Sequence, residues 1–149
     1  MISNHIEKSQ EWLKRKGWRT NPFVFSIEPE LFVGYNNQTN DLLTSISQKH
    51  KISLVLGPTG SGKTTFLKWI SKNLENDFDV IYVDKPPEKL EEFVAILNDK
   101  YKPFWRKLKN THQIPDFINK KQKHLIFIID EAHEASLKVL EWIRTLSDQ

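Results

Sequence analysis

The stretch Gly57-Pro-Thr-Gly-Ser-Gly-Lys-Thr-Thr65 decides how the rest of this chain is read, because an apolar run feeds it and a helical pattern leaves it. On its amino side Ile52, Leu54, Val55 and Leu56 form a short aliphatic run closed by Gly-Pro, which predicts a buried parallel strand over 52–56. On its carboxyl side Phe66, Leu67, Ile70 and Leu74 recur on one helical face, so a helix is expected from Ser61 onward. Between the two, Gly57, Gly60 and Gly62 let the backbone curl until successive N–H groups converge on one anion, and the helix start adds partial positive charge. The pattern GxxxxGKT then distributes the side chains: Lys63 reaches the β- and γ-phosphates, the Thr64 hydroxyl ligates Mg²⁺, and Thr65 contacts the α-phosphate. Pro58, Thr59 and Ser61 complete the cradle. A turn that binds nothing has no need of three glycines followed by Lys-Thr in this setting.

The chain has 149 residues, about one domain's worth and enough to bury a sizeable core. Its net charge of +3 arises from 22 basic and 19 acidic residues, so local patterning rather than the total must speak about partners. Without cysteine there are no disulfides or thiolate metal sites, and the five histidines show no ligand spacing. No apolar run approaches the roughly 20 residues needed to span a bilayer, and Met-Ile-Ser-Asn-His lacks the plan of a signal peptide. A cytoplasmic protein without membrane partners is the expectation.

Residues 1–20 are expected to hold a separate amphipathic basic helix, over 3–16, with Ile6 and Leu13 inward and Gly17 at its C-cap. Lys14, Arg15, Lys16 and Arg19 flank Trp12 and Trp18, as either a nucleic-acid contact or a solvated helix end. Pro22 makes 21–25 extended, and Phe23, Phe25, Leu31 and Phe32 pin this segment to the core. A helix is expected over 40–48 with Leu42, Leu43 and Ile46 as its apolar stripe. A strand follows at 79–83, then a helix with Pro87 in its first turn that runs to about Lys100 and buries Phe93, Val94, Ile96 and Leu97.

From 100 to 123 the chain turns basic, with Lys100, Lys102, Arg106, Lys107, Lys109, Lys120, Lys121 and Lys123 interleaved with Tyr101, Phe104, Trp105 and Phe117. This is either a DNA-binding surface or a solvated connection. The run Leu125-Ile-Phe-Ile-Ile129 reads as a strand covered on both faces, and it delivers Asp130 and Glu131 at its carboxyl end, where open α/β sheets bind ligands. Asp130 there can hold Mg²⁺ and Glu131 can orient the attacking water, which makes Lys63 and Glu131 the candidate catalytic pair. His133 is expected to pack or cap locally. A helix over 132–146 places Val139, Trp142, Ile143 and Leu146 on one side.

With both motifs placed, the chain resembles the nucleotide-binding core of the AAA+ ATPases, most closely the archaeal origin-recognition and secretion-ATPase-like group. The resemblance covers 17–149 and rests on Gly17-Trp18, Asn21-Pro-Phe23, Leu31-Phe-Val-Gly-Tyr35, the phosphate loop, Ile126-Phe-Ile-Ile-Asp-Glu-Ala-His-Glu-Ala135 and the helix after it. It implies a three-layer αβα P-loop fold with a parallel sheet in a partial domain over 21–149, which stops before the strand and the helical lid that carry the sensor residues. It also implies ATP as substrate, Mg²⁺ as cofactor, Val33 and Gly34 beside the adenine, and Asp84 as a polar partner of Glu131. Turnover by such a partial core is in doubt, so a second polypeptide or an AAA+ oligomer is an expected partner alongside ATP, ADP and DNA.

Two other readings share parts of the pattern. A DEAH-type helicase fragment would show both motifs, but it needs a Thr-x-Pro-Arg-Arg-like motif that is absent between Thr65 and His124. A regulatory module that holds nucleotide without turning it over needs only the loop.

Overall fold

The computed structural model describes residues 11–17, 32–101 and 107–148. Residues 3–10 of the expected first helix lie outside that range, as do Trp18, Arg19, Pro22, Phe23, Phe25, Leu31, Lys102, Phe104, Trp105 and Arg106. Within it the order is α1 (Asn36–Ser47), α2 (Lys63–Leu74), β1 (Asp79–Val83), α3 (Leu90–Tyr101), α4 (Ile114–Asn119), β2 (Leu125–Ile129) and α5 (Leu137–Ser147). Single 3₁₀ turns sit at Thr111–Gln113 and Ala132–Glu134. Residues 11–15 are helical and end at Gly17, whose N–H donates to the Lys14 carbonyl at 3.0 Å.

β1 and β2 pair in parallel, in register from Asp79 with Leu125 to Val83 with Ile129. Side chains alternate across a strand, so the pair has two apolar faces, and helices cover both. Ile81 and Val83 pack with Phe93, Val94, Leu97, Ile114 and Val139 from α3, α4 and α5, joined by Leu125, Phe127 and Ile129 of β2. On the opposite face Val80 and Ile128 meet Ile70 and Leu74 of α2, with Leu42 and Ile46 of α1 against them. That is an αβα sandwich. Full burial of each such aliphatic or aromatic side chain is worth about 1.5–3 kcal/mol, so the two clusters carry much of the fold's stability.

Both described strands fall on the residues that the sequence predicts. Residues 52–56 do not: they form no strand, and Ile52, Leu54 and Leu56 are 57, 71 and 80 % exposed rather than buried. A run of aliphatic residues becomes a strand only where a neighbour supplies a ladder, and among the described residues no strand pairs with this one.

The helix limits also move. α1 begins at Asn36 because Tyr35 takes a left-handed conformation (φ 57°) that turns the chain into it, and Leu43 faces outward instead of joining the stripe. α3 starts at Leu90, with Glu91 and Glu92 favouring its amino end, so Pro87 precedes the helix and is buried against the body. The expected single helix over 132–146 is broken, because Ala135 and Ser136 are extended. Ser136 restarts it as an N-cap whose hydroxyl accepts the Val139 N–H at 3.4 Å.

Candidate nucleotide site

Gly62 caps α2 at φ 86°, a left-handed conformation that costs glycine little, and its carbonyl accepts the Phe66 N–H at 2.9 Å. At Gly57 the constraint is space, since a Cβ there would stand 2.8 Å from the Ser61 hydroxyl oxygen. The loop is therefore folded tightly on itself at both ends. The Lys63 ammonium donates to the carbonyls of Gly57 and Pro58 at 2.9 and 3.0 Å, so it lies across the loop with its charge held in the cradle.

β2 ends opposite this loop. Asp130 is buried, and its N–H donates to the Val83 carbonyl at 2.9 Å, which carries the ladder one step past the strand. One carboxylate oxygen accepts the Glu131 N–H and the other the Tyr82 hydroxyl, both at 2.9 Å. The Thr64 side chain lies beside this carboxylate and favours its charged form. Burial alone would raise the acid's pKa, but the nearby Thr64 side chain, the bonds from the Glu131 N–H and Tyr82, and the charge of Lys68 outweigh it and hold the group below the usual carboxylate range. An ionised, buried carboxylate against a hydroxyl is a pair of hard oxygen donors, the chemistry that Mg²⁺ takes.

Glu131 has φ 50°, and its carboxylate lies 3.3 Å from His133 Nδ1. His133 therefore neither packs nor caps: it is exposed and faces Glu131. The resemblance-based pairing of Asp84 with Glu131 is not what forms. Asp84 instead meets Lys68 Nζ at 3.0 Å, the arrangement expected when an acid can choose a cation over a second acid. Glu131, His133 and Glu134 stand close enough to converge on one ion, but all three are exposed.

Val33 and Gly34 line a pocket of about 440 Å³ with Phe32, Asn36, Thr39, Asn40 and Trp69. Its aromatic wall is continuous with the core: Phe32 lies 5.6 Å from Phe66 and 5.5 Å from Trp69, both on α2. Tyr35 ties this wall to the phosphate loop, because its hydroxyl donates to the Ser61 carbonyl. Gly57, Pro58, Thr59, Gly60, Ser61, Gly62, Lys63, Thr64 and Thr65 thus share one region with Asp130, Val33 and Gly34. The sequence reading missed the roles of Tyr35, Lys68 and Tyr82. Tyr82 carried a signal, as the one polar tip in the otherwise aliphatic Val80-Ile-Tyr-Val83 run.

The basic stretch lies elsewhere. Lys121 binds Asp79 at 3.0 Å, at the amino end of β1 and so the far end of the sheet from Asp130, and sits 3.1 Å from the Tyr101 ring centroid. Tyr101 and Phe117 face each other at 5.2 Å, and Lys123 donates to the Asn76 carbonyl at 2.8 Å. No helix among the described residues is long and apolar enough to cross a membrane.

A parallel strand pair between helical layers, with a glycine-rich loop opening one helix and an acidic pair closing a strand, defines the class of P-loop nucleotide-binding ATPase domains. Within it, the chain belongs to the family described as AAA domain, whose model matches residues 46–149. Domains of this family bind nucleotides, generally use ATP with Mg²⁺ and often oligomerise. No curated protein and no solved structure matches the chain.

Proposed function

We propose that this domain binds Mg-ATP, with the triphosphate on residues 57–65, the base in the pocket lined by Val33 and Gly34, and the metal between Thr64 and Asp130. The observation that carries the reading is the buried Asp130 at the end of β2, beside Thr64, the residue that follows the loop lysine. Lys63 would exchange its two loop carbonyls for phosphate oxygens, and the loop N–H groups would hold charge that water otherwise screens. Mg²⁺, when bound, neutralises the β- and γ-oxygens. Glu131, solvent-accessible beside the buried Asp130, orients the attacking water and accepts its proton. Hydrolysis is proposed for the domain in assembly with other AAA domains.

The test is titration with a fluorescent ATP analogue in Mg²⁺. Lys63→Ala should weaken binding by about tenfold or more, the scale of losing one charge-assisted contact to phosphate. Glu131→Gln should bind like wild type and stop hydrolysis wherever the assembled core shows it. Equal affinity for wild type and Lys63→Ala would end the reading.

A further inference from the structure

Two hydrogen bonds fix the Asp130 carboxylate, and the one from Tyr82 is not explained by the nucleotide motifs. Tyr82 stands on β1 next to Ile128 of β2, two residues before Asp130, and its ring lies among the apolar side chains on the α2 face. A phenylalanine would fill that space equally well. The hydroxyl reaches past the apolar layer to Asp130 Oδ2 at 2.9 Å, while the Glu131 N–H takes Oδ1 at the same distance. With both oxygens held, the carboxylate plane cannot turn about its last torsion, and each oxygen keeps a lone pair for another ligand. A phenol is protonated near neutral pH, so the hydroxyl is available as a donor.

The ring also has a charged neighbour over its face. Lys68, one turn after Thr64 on α2, places its ammonium 5.4 Å from the Tyr82 ring centroid and 3.0 Å from Asp84 Oδ1. The ammonium is thus held by Asp84 over the ring face. α2 thus governs both ends of one network, Thr64 beside the carboxylate and Lys68 on the ring that orients it.

We propose that Tyr82 is a positioning residue for the metal-binding carboxylate: its hydroxyl locks Asp130 in the orientation that, with Thr64, receives the divalent cation of Mg-ATP. This rests on the Mg-ATP reading above, and the experiment separates the two. Nucleotide affinity is measured by fluorescent-ATP titration over a series of free Mg²⁺ concentrations, and in EDTA. Tyr82→Phe should raise the Mg²⁺ concentration that half-saturates the affinity gain by about tenfold, the usual scale for removing one hydrogen bond to a charged group. Affinity in EDTA should stay within about twofold of wild type, because the loop itself is untouched. In an Asp130→Asn background, Tyr82→Phe should add nothing, since Tyr82 acts through that carboxylate.

An unchanged Mg²⁺ half-saturation in Tyr82→Phe overturns the proposal, as does an equal shift in the Asp130→Asn background. A wild-type chain that binds no Mg-ATP sinks the nucleotide reading itself, and this proposal with it. If Tyr82→Phe fails to fold, 3-fluorotyrosine replaces the substitution. The chain has three tyrosines, and Tyr35→Phe and Tyr101→Phe assign their resonances. The Tyr82 fluorine signal should move when Mg²⁺ is added to the ATP-bound protein and stay still in Asp130→Asn. A signal that ignores Mg²⁺ in the wild-type background overturns the proposal.

Discussion

Asp130 shows how one side chain can be costly and useful at once. Burying a carboxylate works against its charge, and here two hydrogen bonds, the neighbouring Thr64 and a nearby ammonium reverse the balance and hold its pKa below the ordinary range. A folded-state pKa below the unfolded one adds stability that is present above the ordinary carboxylate value of about 4 and is lost as pH falls through the lower folded value. Wild type should therefore lose stability as pH falls below about 4 more steeply than Asp130→Asn, whose amide does not titrate. Urea unfolding curves across that range, with EDTA present, read the difference. Parallel pH dependence in the two chains would show that Asp130 gains nothing from its partners.

Among the elements, α2 links the loop to the core: Thr64 and Lys63 open it, while Phe66, Ile70 and Leu74 bury its inner face at 2, 1 and 5 % exposure. The 52–56 run, which has similar residues, is its opposite. Ile70→Ala should cost about 2–5 kcal/mol by opening a cavity between α2 and the strands. Leu54→Ser should cost less than about 0.5 kcal/mol, because its side chain is already in water. Denaturant midpoints of the two variants check this, and equal losses would mean that Leu54 is packed after all. Exposed aliphatic residues in a row without a ladder also favour self-association, so Leu54→Ser should remain monodisperse at higher concentration by light scattering.

The same contrast shows what a sequence can reveal. β1 and β2 were legible to the residue because aliphatic, largely β-branched runs flanked by acids and turns encode strand limits locally. The loop was legible because its chemistry is written in consecutive residues. The fate of 52–56 was not, since a ladder belongs to two segments and only one was being read. The Tyr82–Asp130 bond was hidden for a related reason: the two lie 48 positions apart, and only the register of the strands brings them together.

At the scale of the whole molecule, that register has a consequence for time rather than for energy. β1 and β2 meet in parallel only after the chain between them, with α3 and α4, has looped back, and such distant pairing is slow because entropy is lost before contacts reward it. Thr64 lies before this crossover and Asp130 after it, so the proposed metal-binding pair does not exist until the loop has closed. A ligand that needs both halves finds no purchase on the folding chain and acts only on the finished one. In stopped-flow experiments, saturating Mg-ATP should leave the refolding rate within about twofold and lower the unfolding rate by a factor that accounts for nearly all of the added stability. Acceleration of refolding by Mg-ATP would place Thr64 beside Asp130 already at the barrier. Otherwise nucleotide holds the domain shut without helping it to close, and the lifetime of the folded state follows the ATP supply.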